Sequence, residues 1–158
     1  DAILLGILAW VVILAVGAIF LGTLLTGNFF IALVVGVLLA VANMVVSAIY
    51  FVWGWTNPTM RASLGQRIMG LHTVGAADGA TLTREQATRR WAFLYGFVAL
   101  ASALQFALTG SDLGGLASLI GLLSFGYTIY LLWTTYQSPK RQGFHDVQAG
   151  TVVIKPIK

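Results

Sequence analysis

Residues 29–55, FFIALVVGVLLAVANMVVSAIYFVWGW, form an apolar stretch without a single charged side chain. Wound into a helix at about 1.5 Å per residue, this stretch would be about 40 Å long. The hydrocarbon core of a bilayer is about 30 Å thick, which requires roughly 20 apolar residues in helix. The stretch is therefore long enough to cross a membrane.

The composition of the whole chain agrees with this interpretation. Of its 158 residues, 58% are hydrophobic and 9% are charged, whereas a soluble domain carries about a quarter charged residues. Residues 2–60 contain no Asp, Glu, Lys or Arg, and Asp112 is the only such residue between Trp91 and Pro139. The chain therefore contains two long apolar blocks and is predicted to be an integral membrane protein.

Each apolar block is long enough for two helices joined by a short polar turn. The turns are TGN at 26–28 and TGSD at 109–112. We expect both turns at the membrane surface, because backbone without internal hydrogen bonds is tolerated only where the chain leaves the lipid. The first block is far too long for a cleaved signal peptide. We therefore predict an all-α membrane protein with one domain, 1–158, and four transmembrane helices in two hairpins: 2–25, 29–55, 91–109 and 113–136.

The positive charges predict the orientation of these spans. All nine Lys and Arg residues lie in the central loop, 56–90, or in the C-terminal tail, 137–158. The positive-inside bias places both segments, and hence the N-terminus, in the cytoplasm. Aromatic rings prefer the headgroup level, so we expect a set of lipid-facing interfacial residues at the cytoplasmic ends of the spans: Trp53, Trp55, Trp91 and Trp133, together with Arg61.

The central loop contains signals for a short interfacial helix. Asn57 is a favourable N-cap and Pro58 suits a first helical turn. At 100° per residue, one apolar stripe would face the membrane with Arg61 and Arg67 on its two flanks, and its members are Met60, Leu64, Ile68 and Leu71. Gly65 and Gly70 weaken this helix, so it is expected to be short or kinked.

Two β-prone segments lie far apart in the sequence. LHTV at 71–74 is followed by a turn, AADGA, and GTVVIK at 150–155 is β-branched and precedes Pro156. Each lacks a neighbouring strand, so we predict that the tail returns to the central loop in a two-stranded pairing. Thr83 and Gln86 form a capping-box pattern that opens the helix of the third span.

The sequence resembles the RDD family of bacterial membrane proteins. The resemblance rests on LGQRIMGLHTV at 64–74, DG at 78–79, Arg90, and KRQGFHDVQAGTVV at 140–153. It marks the motif glycines Gly65, Gly70, Gly79 and Gly150. It implies a multi-pass protein of the bacterial cytoplasmic membrane, for which ion or small-molecule transport is proposed in some members.

The family name refers to an arginine and two aspartates. The aspartates correspond to Asp1 and Asp146 here, and the arginine would precede Asp1, so we expect this sequence to begin inside the first helix. Gln66 departs from the family pattern, which usually has Lys between Gly65 and Arg67.

Three interpretations of the His145–Asp146 pair remain open. It is a proton-handling pair, part of a metal site, or the anchor of a salt bridge with Arg67 or Arg90. The salt bridge is favoured because a structural metal needs about four protein ligands and the chain has no cysteine. No nucleophile-elbow or phosphate-binding motif indicates catalysis, and the predicted spans contain no histidine for a haem, so no enzyme activity, metal or cofactor is expected.

Two functional hypotheses follow. In the first, the protein is an accessory subunit that contacts lipids and other membrane protein subunits and stabilises or helps to assemble a larger complex. In the second, it is a secondary transporter, such as a cation/proton exchanger, that uses Asp1, Asp146 and nearby arginines. The net charge of +4 is better explained by anionic lipid than by nucleic acid, because the cations flank the spans.

Overall fold

The computed structural model describes residues 17, 22, 29–108 and 112–156 of the chain. The first predicted span, 2–25, and Asp1 therefore lie outside the described residues, apart from Gly17 and Gly22. The same is true of both hairpin turns except for Asp112. In the described part, the protein is mostly helical, with one small two-stranded sheet.

Two long apolar helices correspond to the second and fourth predicted spans. Helix α1 covers Phe29–Thr56 with 28 residues. A second long helix, Gly114–Gln137, has 24 residues. At about 1.5 Å per residue they are about 42 Å and 36 Å long, and both are long and apolar enough to cross a membrane. The C-terminal end of α1 and both ends of the second long helix agree with the predicted spans to within one residue, and Phe29 is the first residue of the described range 29–108.

The third predicted span belongs to a longer helical segment. It comprises an α-helix over Arg84–Trp91, a π-helical turn over Ala92–Gly96 and a further α-helix over Phe97–Leu108. The helix begins at Arg84 because Thr83 caps it: Thr83 Oγ1 accepts from Gln86 N at 3.2 Å, and Gln86 Oε1 accepts from Thr83 N at 3.0 Å. The predicted capping box is confirmed, and residues 84–90 are helical.

The short helix of the central loop begins later than predicted. Asn57 caps only a turn, in which its Oδ1 accepts from Thr59 N at 3.0 Å, and Arg61 has a positive φ of 46° that ends the turn. Helix α2, Leu64–Ile68, instead starts after Ser63, which forms a capping box with Gln66. The prediction that Asn57 and Pro58 open the helix is wrong, because the backbone at Arg61 is incompatible with helix.

The apolar stripe predicted for this helix does not form. Met60 precedes α2 and is buried, whereas Ile68 is 79% exposed. Only Leu64 and Ile68 lie within the five residues of α2. The predicted stripe extends from Met60 to Leu71, and a helix of five residues is too short to carry it.

The predicted strand pairing is confirmed. Strand β1, His72–Gly75, pairs antiparallel with β2, Thr151–Ile154, and the register places Thr73 opposite Val153 and Val74 opposite Val152. The tail also contains a short helix, Phe144–Ala149, that the sequence analysis did not predict. In chain order, the helices after α2 are numbered α3 (Arg84–Trp91), α4 (Phe97–Leu108), α5 (Gly114–Gln137) and α6 (Phe144–Ala149).

The core lies where these polar segments meet the ends of the long helices. Its buried members are Trp55, Leu82 and Ala87, with Phe51 and Leu94 among the half-buried side chains around them. Helix α1 packs on α3 and α4, α4 packs on α5, and α6 packs on α3. The central loop, α3 and the tail thus form a compact cap, which comprises residues 57–90 and 138–156.

A close contact between α1 and the cap provides a test of this packing. A Cβ added at Gly54 would lie 2.8 Å from the backbone oxygen of Ala62, whereas a Cβ at Gly65 would meet no atom within 4 Å. We expect Gly54→Ala to destabilise the protein by about 1–3 kcal/mol, because a backbone carbonyl cannot move aside like a side chain.

Gly65→Ala is the matched control for this substitution. It should leave the protein unchanged or stabilise it by up to about 1 kcal/mol, because alanine favours helix over glycine. Thermal unfolding of the purified protein in detergent would measure both effects. Equal stability of the two variants would contradict the close approach of α1 and the cap.

Candidate functional site

A buried ion pair joins the two polar segments of the cap. Arg90, at the end of α3, donates through Nη1 to Oδ1 of Asp146 in α6, and each residue is only 2% exposed. Arg90 Nη1 also donates to Thr151 Oγ1 at 2.9 Å, and that hydroxyl donates to Asp146 Oδ1 at 2.9 Å. Three residues from α3, α6 and β2 are therefore held together by charge-assisted hydrogen bonds.

The carboxylate of Asp146 has a donor on every side. Beyond Arg90 and Thr151 at Oδ1, its Oδ2 lies 3.2 Å from His145 Nε2 and accepts from the backbone N–H of Gly143 at 3.3 Å. An ionised carboxylate offers about four lone-pair sites, and all four directions are used here. This geometry favours a structural anchor over a metal ligand, since no acceptor position remains for a cation.

These contacts determine the charge of Asp146. Burial by itself would raise the pKa of Asp146, but the hydrogen bond from His145, the charges of Arg90 and His145, and the hydroxyl of Thr151 outweigh it. The pKa of Asp146 therefore lies below its ordinary value, and the side chain is a carboxylate at neutral pH.

The lowered pKa predicts an acid-dependent loss of stability. Because the folded-state pKa is below the unfolded value of about 3.9, the stabilisation is complete above that pH and is lost as the pH falls through the folded-state pKa. We expect unfolding curves recorded between pH 2 and 7 to show this loss below about pH 4. This acid-dependent loss of stability should be absent in Asp146→Asn. It should be retained in Glu85→Gln, which changes an exposed carboxylate. An identical acid profile in the wild type and Asp146→Asn would contradict it.

Trp55 connects this ion pair to a second polar cluster. The guanidinium of Arg90 lies 4.9 Å from the centroid of the Trp55 ring, which is within the range of a cation–π interaction. The indole N–H of Trp55 donates to Gln66 Oε1 at 3.0 Å, and the same oxygen accepts from Ser63 N at 3.0 Å and Thr73 Oγ1 at 3.2 Å. Gln66 thus joins α1, α2 and β1 through one carbonyl oxygen, a role that needs an acceptor and that a lysine, which has none, could not fill.

The predicted interfacial residues have different environments in the structure. Trp55 is only 1% exposed, so its assignment as a lipid-facing residue is wrong: it fills the core between α1 and the cap. Trp91 is half-buried and donates from its indole nitrogen to Ser47 Oγ on α1 at 3.2 Å. Trp133 is exposed, Trp53 and Arg61 are half-buried, and Arg61 donates from Nε to the Pro58 carbonyl.

The remaining predicted site residues are not gathered at the ion pair. Arg67 is exposed on α2, and Asp146 pairs with Arg90 instead. Asp1 lies outside the described residues. Of the motif glycines, Gly70, Gly79 and Gly150 have positive φ, a conformation that glycine adopts at little cost, and Gly150 uses it to end α6 immediately before β2. Gly65 lies in α2, and a Cβ added there would meet no atom within 4 Å.

Two buried nitrogens of the cluster make no hydrogen bond to the described residues: Arg90 Nε and His145 Nδ1. In the described ranges, His, Asp and Glu side chains do not assemble in a group of three that would hold a metal ion. The arrangement holds the charges of Arg90 and Asp146 in place and thereby ties α3 to α6. Thr151 and Gln66, which complete it, were missed in the sequence analysis. A threonine at a strand end carries no distinctive signal, but Ser63 and Gln66 form the same capping-box pattern as Thr83 and Gln86 and could have marked the start of α2.

The described residues form a mostly helical protein with two helices long and apolar enough to cross a membrane and a cap held by a buried arginine–aspartate pair. The chain belongs to the RDD family, whose model matches residues 1–150, and the resemblance inferred from the sequence is thereby confirmed. No curated protein and no solved structure matched the chain.

Proposed function

We propose that the protein is a non-enzymatic, four-span subunit of the bacterial cytoplasmic membrane that stabilises or helps to assemble a larger membrane complex. The spans would be 2–25, α1, the helical residues 91–108 and α5. The cap and both termini would lie in the cytoplasm, because the positive-inside rule puts the nine Lys and Arg residues of the chain there.

The observation that carries this proposal is the exposure of the two long helices. Of the apolar windows in α1 and α5, only 6% and 11% of the residues are buried. Helix α5 alone presents several large exposed side chains, including Leu122, Phe125, Leu132 and Trp133. Such surfaces suit lipid tails and neighbouring helices, because helices associate in lipid through van der Waals packing.

The chemistry of the spans supports a structural role over transport. An ionisable residue within the hydrocarbon is costly and usually marks a transport pathway, yet residues 29–56, 91–108 and 114–137 contain no Asp, Glu, Lys or Arg. The buried carboxylate, Asp146, lies in the cap with its acceptor positions already occupied. A proton-coupled carrier would need a carboxylate that exchanges its partners.

Site-specific photo-crosslinking in native membranes tests the proposal. A photoreactive residue placed at Phe125 or Leu132 on α5 should give an adduct with one defined membrane protein. The same residue at Thr88, exposed on the cap, serves as a control for surface collisions. Native mass spectrometry after mild extraction should then show that protein and this chain in a fixed stoichiometry.

The competing hypothesis predicts the opposite behaviour. If the chain is a transporter, it should purify without partners, and liposomes that contain it alone should exchange a cation for protons. Cation flux in such liposomes, combined with adducts to lipid only at both positions of α5, would contradict the subunit proposal.

A further inference from the structure

An open cavity lies beside the end of α5, on the surface between this helix and α6. It has a volume of about 340 Å³, within the size range of small-molecule sites. Its apolar side consists of Trp133, Phe144 and Val147, of which Trp133 is 56% and Val147 is 61% exposed. The cavity is therefore accessible from the side on which α5 presents its apolar surface.

The cavity also has polar lining residues. They include Gln137, Ser138 and Gln142. Ser138 Oγ accepts from Gln142 N at 3.2 Å, and Gln142 Nε2 donates to the carbonyl of Thr151 at 2.7 Å. These bonds fix the turn after α5, so the polar wall is a rigid part of the cap, while the amide of Gln137 is exposed.

The turn between the lining residues Ser138 and Gln142 carries two exposed cations, Lys140 and Arg141. Arg141 has a positive φ of 54°, a conformation that is unfavourable for a residue with a side chain and that often accompanies function. Its guanidinium lies 5.7 Å from the ring centroid of Tyr136. The acidic residue next to the lining residue Val147 is Asp146, which is buried and paired with Arg90. The exposed charges of this turn are therefore positive and favour an anion.

We propose that this cavity binds one anionic phospholipid. Its glycerol and upper acyl chains would contact Trp133, Phe144 and Val147, and its phosphate would lie against Lys140 and Arg141, with the Gln137 amide as a further donor. The inference rests on the proposed placement of α5 as a membrane span that ends at the headgroup level. It assigns a discrete, stoichiometric lipid to the site, beyond general attraction between basic loops and an anionic surface.

Native mass spectrometry of the purified full chain in a neutral detergent tests this proposal, because no charged membrane surface is present there. Titration with phosphatidylglycerol should show one tightly bound lipid, and phosphatidylcholine with the same acyl chains should bind much more weakly. The double variant Lys140→Gln/Arg141→Gln should weaken phosphatidylglycerol binding by about tenfold or more, because one charge-assisted hydrogen bond to the phosphate contributes at least about tenfold.

Two further variants separate a built site from net charge. Arg84→Gln/Arg89→Gln removes two exposed cations elsewhere in the cap and should leave the affinity unchanged. Val147→Trp retains every charge but fills the apolar side of the cavity, and it should weaken binding.

Equal affinity for the two lipids, an equal loss in the two double variants, or wild-type affinity in Val147→Trp would each overturn the proposal. The lipid titration uses the isolated chain and the partner crosslinking uses native membranes. Selective lipid binding without a partner adduct therefore refutes only the subunit role, and a partner adduct without selective lipid binding refutes only the lipid site.

Discussion

Replacement of Asp146 by alanine should lower the free energy of unfolding by about 3–5 kcal/mol, because it leaves the buried guanidinium of Arg90 without its counter-charge. The two side chains are each 3% exposed, so water cannot replace the lost carboxylate. Thermal unfolding of the purified protein in detergent measures this loss. Size-exclusion chromatography then shows whether the variant still elutes as a single monodisperse species.

The exposed ion pair of α3 is the matched control. Arg89 and Glu85 lie 2.8 Å apart, with side chains 61% and 73% exposed, and such surface pairs contribute about 0.2–1 kcal/mol. Glu85→Ala should therefore have a small effect. The double variant Arg90→Met/Asp146→Leu should recover much of the stability lost in Asp146→Ala, because an apolar pair of similar volume needs no counter-charge. A loss below about 1 kcal/mol in Asp146→Ala would show that the pair does not hold the cap.

Replacement of Trp55 by alanine should have a comparable effect, a loss of about 3–5 kcal/mol, because large-to-small changes of buried aromatic residues leave a cavity. Trp55 also contacts the guanidinium of Arg90 and donates to Gln66. Trp55→Phe keeps an aromatic face but removes the indole donor, so a smaller loss of about 1–2 kcal/mol is expected.

Trp133→Ala is the control for the loss of an indole as such. Trp133 is more than half exposed, and its replacement should change stability only slightly. Since Arg90 contacts both Trp55 and Asp146, the losses in Trp55→Ala and Asp146→Ala should not add up in the double variant. Strict additivity, or equal losses at Trp55 and Trp133, would contradict the central position of Trp55.

Hydrophobic length and charge placement predicted the long helices well. The C-terminal end of α1 and both ends of α5 lie within one residue of the predicted spans, because polar residues, including the turn before α5, mark where the apolar runs stop. The pairing of β1 with β2 was also predictable, since each β-prone segment lacked a neighbour in the sequence and only the other was available. Thr83 and Gln86 identified the start of α3 because a capping box is a local pattern.

The errors have physical causes that a single sequence does not reveal. Trp55 was assigned to the lipid interface because tryptophan favours the ends of spans, but tertiary contacts with Arg90 and Gln66 bury it in the cap. The helix expected at Asn57 was interrupted by the left-handed backbone at Arg61, and arginine gives no signal for that conformation. Asp146 was identified, but its choice of Arg90 over Arg67 depends on the docking of α6 against α3, which local pattern does not encode.

The most direct test of the account is the sidedness of single cysteines in membrane vesicles. The chain has no native cysteine, so a thiol introduced at Ala77, Lys155 or Asp112 is unique, and all three positions are exposed. An impermeant maleimide should label Ala77→Cys and Lys155→Cys from the cytoplasmic face and Asp112→Cys only from the opposite face. Labelling of Asp112→Cys from the same face as Ala77→Cys would contradict the proposed crossing of the membrane by residues 91–108 and α5.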